Sequence, residues 1–153
     1  MQQEIDSLAH LLKGKPVPRL HLLLLESATE HQPGQLDLDA MTSHTFAPGV
    51  YARTIEIPED CFVVGKIHKH AHLNFLQSGV VTVASEFHTE TFSAPRMWVS
   101  EPGIKRAVLA LEDTVWVTIH PNPDNTTDLK IMEAEVIAPS YEALDAFLLG
   151  VDV

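Results

Sequence analysis

The 153-residue sequence carries a single cysteine, Cys61. It cannot close an internal disulfide, and a lone thiol fits a reducing compartment. Basic residues are scarce, with 10 Lys and Arg against 21 Asp and Glu, for a formal net charge of −11. Such a field repels phosphate backbones and anionic lipid surfaces, which argues against nucleic acid or a membrane surface as a partner. Long hydrophobic runs are also missing: the four leucines at 22–25 are far short of the ~20 apolar residues that span a bilayer. The start, Met-Gln-Gln-Glu-Ile-Asp, lacks the basic region and apolar core of a signal peptide. Asn125 opens a formal glycosylation sequon, relevant only to a secreted chain. The expectation is a soluble cytoplasmic protein. Glycine and proline number 7 and 10, too few and too irregular for a collagen-like or low-complexity chain.

What is present is an ordinary globular composition and an unusual histidine content: nine, six of them between His44 and His120. The length predicts one domain, large enough to bury roughly two thirds of its unfolded surface without a disulfide or metal. Apolar residues at Ile5, Leu8, Leu11 and Leu12 predict an amphipathic helix over 1–13, ended by Gly14, Pro16 and Pro18. Residues 20–25 read as a buried strand, with a short helix as the alternative, and 26–45 as a loop. Short β-branched or aromatic runs follow at 51–57, 62–72, 74–77, 80–85, 90–92, 97–99, 107–111 and 114–120. Turn residues separate them, which predicts a β-sandwich or barrel. Residues 129–136 read as one more strand. Ser140 is placed to cap a C-terminal helix with Tyr141, Leu144, Phe147 and Leu148 as its stripe and Gly150 at its end. The expected organisation is a helix and extension over 1–45, a β unit over 46–137 and a helix over 138–153, packed as a single domain.

The most informative stretch is Gly65-Lys66-Ile67-His68-Lys69-His70-Ala71-His72-Leu73-Asn74. In an extended segment, residues two apart share a face, so His68, His70 and His72 project together if 66–72 is a strand. Neutral imidazole is the commonest protein ligand of zinc, iron, copper and nickel. A metal-free polar pocket, a proton shuttle and a solvated face are the competing readings.

The His-x-His strand, a hairpin ending at Gly79, and the later Val99-Ser100-Glu101-Pro102-Gly103-Ile104-Lys105-Arg106-Ala107 resemble the two motifs of the cupin superfamily. The resemblance covers roughly residues 46–120. It implies a jelly-roll barrel that often holds one divalent metal on two histidines and a carboxylate from the first motif and a histidine from the second. His68 and His70 match the pair. Asn74 stands where the carboxylate belongs, and Arg106 where the second-motif histidine belongs. Gly-Lys-Ile-His-x-x-x-His-Leu-Asn, Pro-Gly-x-Lys-Arg and Glu-Asp-Thr-x-Trp-x-x-Ile-His resemble, more narrowly, small cupin-like proteins of tailed phages and prophages. That pattern keeps His68, His72 and His120 and varies at His70. His120 ends a strand with Trp116 and Thr118 on its face, and the jelly-roll topology implies that this strand lies beside the first motif. His120 is thus either a further ligand, giving three histidines and an open position, or a strand-end residue bonded to backbone.

Arg106 is either a fork for a carboxylate or phosphate or a structural partner of Glu101 or Glu112. Asn74 is a candidate hydrogen-bond partner for a bound group. Tyr51 and Arg53 alternate in one strand and are candidate pocket residues, core packing being the alternative for Tyr51. Glu86, His88 and Glu90 read as a solvated hairpin, Trp98 and Trp116 as core, and Cys61 as a small buried residue. Together these features predict an all-β, cupin-like jelly roll with short terminal helices and a homodimeric state. They predict a pocket for zinc, iron, nickel or manganese or for a small anionic ligand, in a phage-type accessory binding or structural protein. The alternative is a metal-dependent isomerase, hydrolase or dioxygenase acting on a small anion; fold does not choose among these.

Overall fold

The computed structural model describes residues 14–30 and 36–151. The helix expected over 1–13 lies outside the described residues. Helix α1 (Arg19–Glu30) is followed by strands β1 (Thr42–Ala47), β2 (Gly49–Ile57), β3 (Phe62–Val64), β4 (Ile67–His68), β5 (His72–Ser78), β6 (Val80–Ala84), β7 (Thr89–Ser93), β8 (Arg96–Ser100), β9 (Ala107–Ala110) and β10 (Thr114–Asn122). Helix α2 (Leu129–Val136), strand β11 (Ile137–Ala138) and helix α3 (Tyr141–Leu149) complete the described chain. One sheet has the order β1-β2-β10-β5-β8, the other β3-β9-β6-β7, and β4 pairs with β11. All pairings are antiparallel. Late strands lie between early ones in both sheets, β10 between β2 and β5 and β9 between β3 and β6, which is jelly-roll connectivity. The all-β expectation holds, with few and short helices.

The two inner faces meet over Ile57, Leu76 and Trp116 from the first sheet and Val63, Val81, Val83, Phe92, Val108 and Ala110 from the second. Trp98 packs edge-on to Trp116, centroids 5.2 Å apart, so both tryptophans serve the core. Cys61 is half-buried beside that core, and burial pushes its thiol pKa up, consistent with an inert packing role.

Four expectations change. Residues 42–45, inside the segment expected as a loop, belong to strand β1. Residues 20–25 are helical, not a strand. The Pro18 carbonyl accepts from the His21 and Leu22 amides at 2.9 and 3.1 Å, opening α1. Among the helix residues Leu22 is buried against Val17, Val64, Ala84 and Ala107, with Leu25 partly buried beside it. That three-residue spacing is one helical stripe, and the helix runs on to Glu30 into the segment expected as loop. Residues 129–136 are also a helix: Asp128 caps it by accepting from the Lys130 and Ile131 amides at 2.9 and 3.4 Å, and Met132 and Val136, four apart, are its buried face. The run 62–72 breaks into three pieces, because the chain leaves one sheet at Val64 and enters the other at His72. The C-terminal helix stands as expected. Ser140 accepts from the Ala143 amide at 3.1 Å, and Gly150 ends it in the left-handed region at φ 69°. Leu144 is its buried residue, while Phe147 and Leu148 are exposed.

Candidate functional site

Strand register builds the inner face of the five-stranded sheet in rungs, because directly paired residues project to the same side. Trp116 stands opposite Ile55 and Leu76, an apolar rung in the core. One rung on, Thr118 stands opposite Arg53 and Asn74, and Asn74 opposite Trp98. On the next rung Tyr51 is opposite His120, and His72 opposite Ser100. The face thus changes from hydrocarbon to polar groups to imidazole along the barrel.

His68 arrives from a different element. The β4–β11 ladder pairs it with Ile137, its amide donates to the Ile104 carbonyl at 3.0 Å, and its carbonyl accepts from the Gly103 amide at 2.7 Å. Gly103 is at φ +89°, and a Cβ there would lie 3.0 Å from Leu144, so glycine allows the clamp on His68 to form. The result is a cluster of three rings. Centroids are 4.5 Å apart for His68 and His72, 4.8 Å for His72 and His120, and 5.7 Å for His68 and His120. All three residues are buried.

Burial keeps the three imidazoles neutral. Desolvation is the largest cause in each case. It holds His68 well below its usual value, aided by the charges of its two neighbours and of Arg106 and Arg53. It brings His72 down to about 4, with Arg106 adding to the shift and the hydrogen bond to the His70 carbonyl opposing it. It brings His120 down to about 3, aided by His72 and Arg53. Neutral imidazole is the ligating form. His68 Nδ1 and His72 Nε2 are buried without a hydrogen-bond partner, whereas buried polar atoms are ordinarily satisfied. His120 Nε2 lies 3.2 Å from Thr118 Oγ1. The rings are neighbours but their donor atoms do not converge: among the described residues, no three or more His, Cys, Asp or Glu side chains are arranged to hold a metal ion. The donor chemistry fits a transition metal; the third donor is turned toward Thr118.

His70 does not join them. The chain bends at 69–70, where the Lys69 amide donates to the Val136 carbonyl at 2.9 Å. His70 is thrown to the surface, edge-on to Phe147 at 5.1 Å. The extended segment that would align three histidines is therefore interrupted, and the bend brings His68 back onto His72.

Asn74 is fully buried and engaged at both ends: its Oδ1 accepts from Trp116 Nε1 at 3.1 Å and its Nδ2 donates to Ser100 Oγ at 2.6 Å. In this arrangement it braces the wall and offers no free group to a ligand. Arg106 donates through Nη2 to Ser100 Oγ and lies over the Trp116 ring, 5.4 Å from its centroid. Desolvation lowers its pKa to about 10. It pairs with neither Glu101 nor Glu112: none of the ion pairs among the described residues includes it.

A cavity of about 460 Å³ opens beside the rings. His68, His120, Tyr51 and Arg53 line it with His44, and α2 closes its far side through Leu129, Glu133 and Val136. Tyr51 stacks near His120 at 6.0 Å and packs on Met132 and Val136, so it serves pocket and core together. His44 was not singled out from sequence. Its Nδ1 lies 2.6 Å from Tyr51 Oη, and its one sequence signal is alternation with Thr42 and Phe46 in an edge strand. Ser100, which joins Asn74 to Arg106, gave no signal.

No family model and no curated protein matches this chain. Solved structures do resemble it in shape. A cupin-2 domain protein from Shewanella frigidimarina is 16% identical, with 52% of this chain and 80% of that chain covered, at TM-score 0.42. An RmlC-like cupin from the same organism is 11% identical over 65% and 97%, at 0.42. KdgF from a Halomonas species is 14% identical over 62% and 90%, at 0.47. The structural neighbours include cupins. No helix among the described residues is long and apolar enough to cross a membrane.

Proposed function

We propose that this cupin-like protein is a binding module that holds a divalent transition metal, zinc, iron, nickel or manganese, on His68, His72 and His120. The observation that carries this reading is the pair of buried, unpartnered nitrogens, His68 Nδ1 and His72 Nε2, on rings that neighbour a third neutral ring. Two donors are free, and turning the His120 ring away from Thr118 frees the third. Three neutral imidazoles leave an open coordination position, and a metal there supplies a Lewis acid. The residues of this chain do the rest: Asn74, Ser100 and Trp116 fix the wall, and Tyr51 and α2 limit the entry of water. The phage-type accessory role suggested by the sequence resemblance belongs to this reading. So does a homodimer, for which the exposed Leu73, Met97 and Val99 on the outer sheet face offer a contact. The cavity beside the rings favours a second reading, in which the same centre acts on a small anionic substrate.

Elemental analysis of untagged protein purified without chelator, then reconstituted, tests the proposal. Near-stoichiometric metal that falls to background in both His68→Ala and His72→Ala supports it. Absence of metal after reconstitution overturns it.

A further inference from the structure

Four of the nine Lys and Arg side chains among the described residues are paired with a carboxylate. Arg19 binds Glu86 and Asp145, Lys66 binds Glu133, Arg96 binds Glu90, and the buried Lys105 binds Glu26 at 2.6 Å. The two arginines nearest the histidine cluster differ. Neither Arg53 nor Arg106 has a carboxylate within 4 Å among the described residues. Their charges are nevertheless felt at His68, where both disfavour protonation.

The two arginines are not equivalent. Arg106 is committed to Ser100 and to the Trp116 face and does not line the cavity. Arg53 does line it, on the same wall as His120 and Tyr51, and is half-buried. The register holds it between the edge strand β1 and the central strand β10, opposite both His44 and Thr118. The cavity's two carboxylates are Asp39, which is exposed, and Glu133, which is taken by Lys66. A half-buried guanidinium in a concave site, with no carboxylate within 4 Å, is open to a partner of opposite sign. Its planar fork matches the two oxygens of a carboxylate or phosphate.

We propose that the cavity takes a compact oxyanion, a carboxylate or phosphate group of a small molecule, with Arg53 as its fork and the His68 and His120 side at its back. The proposal rests on the pocket described above and not on the metal.

Isothermal titration with inorganic phosphate and with succinate, on metal-free and on metal-loaded protein, tests it. A neutral diol of matching length is the control. The expected result is saturable binding of at least one anion and none of the diol. Arg53→Gln is expected to weaken it roughly ten- to a hundredfold, the range for a lost charged hydrogen-bond pair, and Arg53→Lys by less, because the charge stays and the fork is lost. Circular dichroism checks that both variants fold. Phosphate-only or succinate-only binding assigns the source of the oxyanion. No binding in either form of the wild type, or equal binding by Arg53→Gln, overturns the proposal. Anion binding without metal uptake defeats the metal reading alone; metal uptake without anion binding defeats this one alone.

Discussion

His68 and His72 meet ring to ring at 4.5 Å although they belong to different strands with a bend between them. His72 lies in the large sheet, while His68 is held by the two-residue β4–β11 ladder. Their contact therefore joins the barrel wall to the segment that follows α2.

The neutral cluster makes stability fall with acid. The unfolded chain protonates histidine near 6.5, whereas folded His72 and His120 do so near 4 and 3. Between those values the unfolded state binds more protons, so stability rises with pH. The contribution is complete above 6.5 and is lost as pH falls toward 4 and then 3. At about 1.4 kcal/mol per pH unit, the loss by pH 4 is on the order of 3 kcal/mol for each of the two. Urea midpoints of metal-free protein between pH 7 and 4 should show this slope, and His120→Gln should flatten it. A pH-independent midpoint would contradict neutral burial.

Asn74 satisfies one buried donor, Trp116 Nε1, and one buried acceptor, Ser100 Oγ, at once. Replacing it with alanine strands the Trp116 indole N–H and one Ser100 contact. Each unsatisfied buried group costs about 1–3 kcal/mol, so Asn74→Ala should lose roughly 3 kcal/mol in chemical denaturation, with a changed tryptophan emission. A loss below about 1 kcal/mol would show that water replaces the amide.

Gly79 and Gly49 both have positive φ, at +96° and +76°, yet alanine should behave differently at each. A Cβ at Gly79 would sit 2.4 Å from Thr114 Oγ1 and 2.7 Å from the Asp113 carbonyl, while one at Gly49 meets nothing within 4 Å. Gly49→Ala should cost about 1–2 kcal/mol for the left-handed backbone alone. Gly79→Ala should cost clearly more or abolish folding. Equal melting temperatures would refute this ranking.

Much of this was legible in the sequence, and the remainder was hidden for physical reasons. Period-two alternation marked Trp116, Thr118 and His120 as the face they are, since sheet burial acts on every second residue. Ser140 and Gly150 announced their helix through local capping. Residues 129–136 read as a strand although the Asp128 cap and the four-residue spacing of Met132 and Val136 mark a helix. His70 misled because the bend at 69–70 is imposed by a hydrogen bond from Lys69 to Val136, which no local pattern encodes. Ser100 and His44 acquired their partners through register with distant strands.

The β4–β11 ladder also bears on how the pocket comes into being. Every strand of the two large sheets is complete by Asn122, so the barrel's own hydrogen-bonded pairs need nothing beyond that residue. His68, however, finds its ladder partner at Ile137, and the cavity finds its far wall in α2. The histidine pocket is thus completed by residues that follow the last strand of the two large sheets in the chain. A chain stopped before residue 129 would lack both the ladder partner of His68 and the far wall of the cavity.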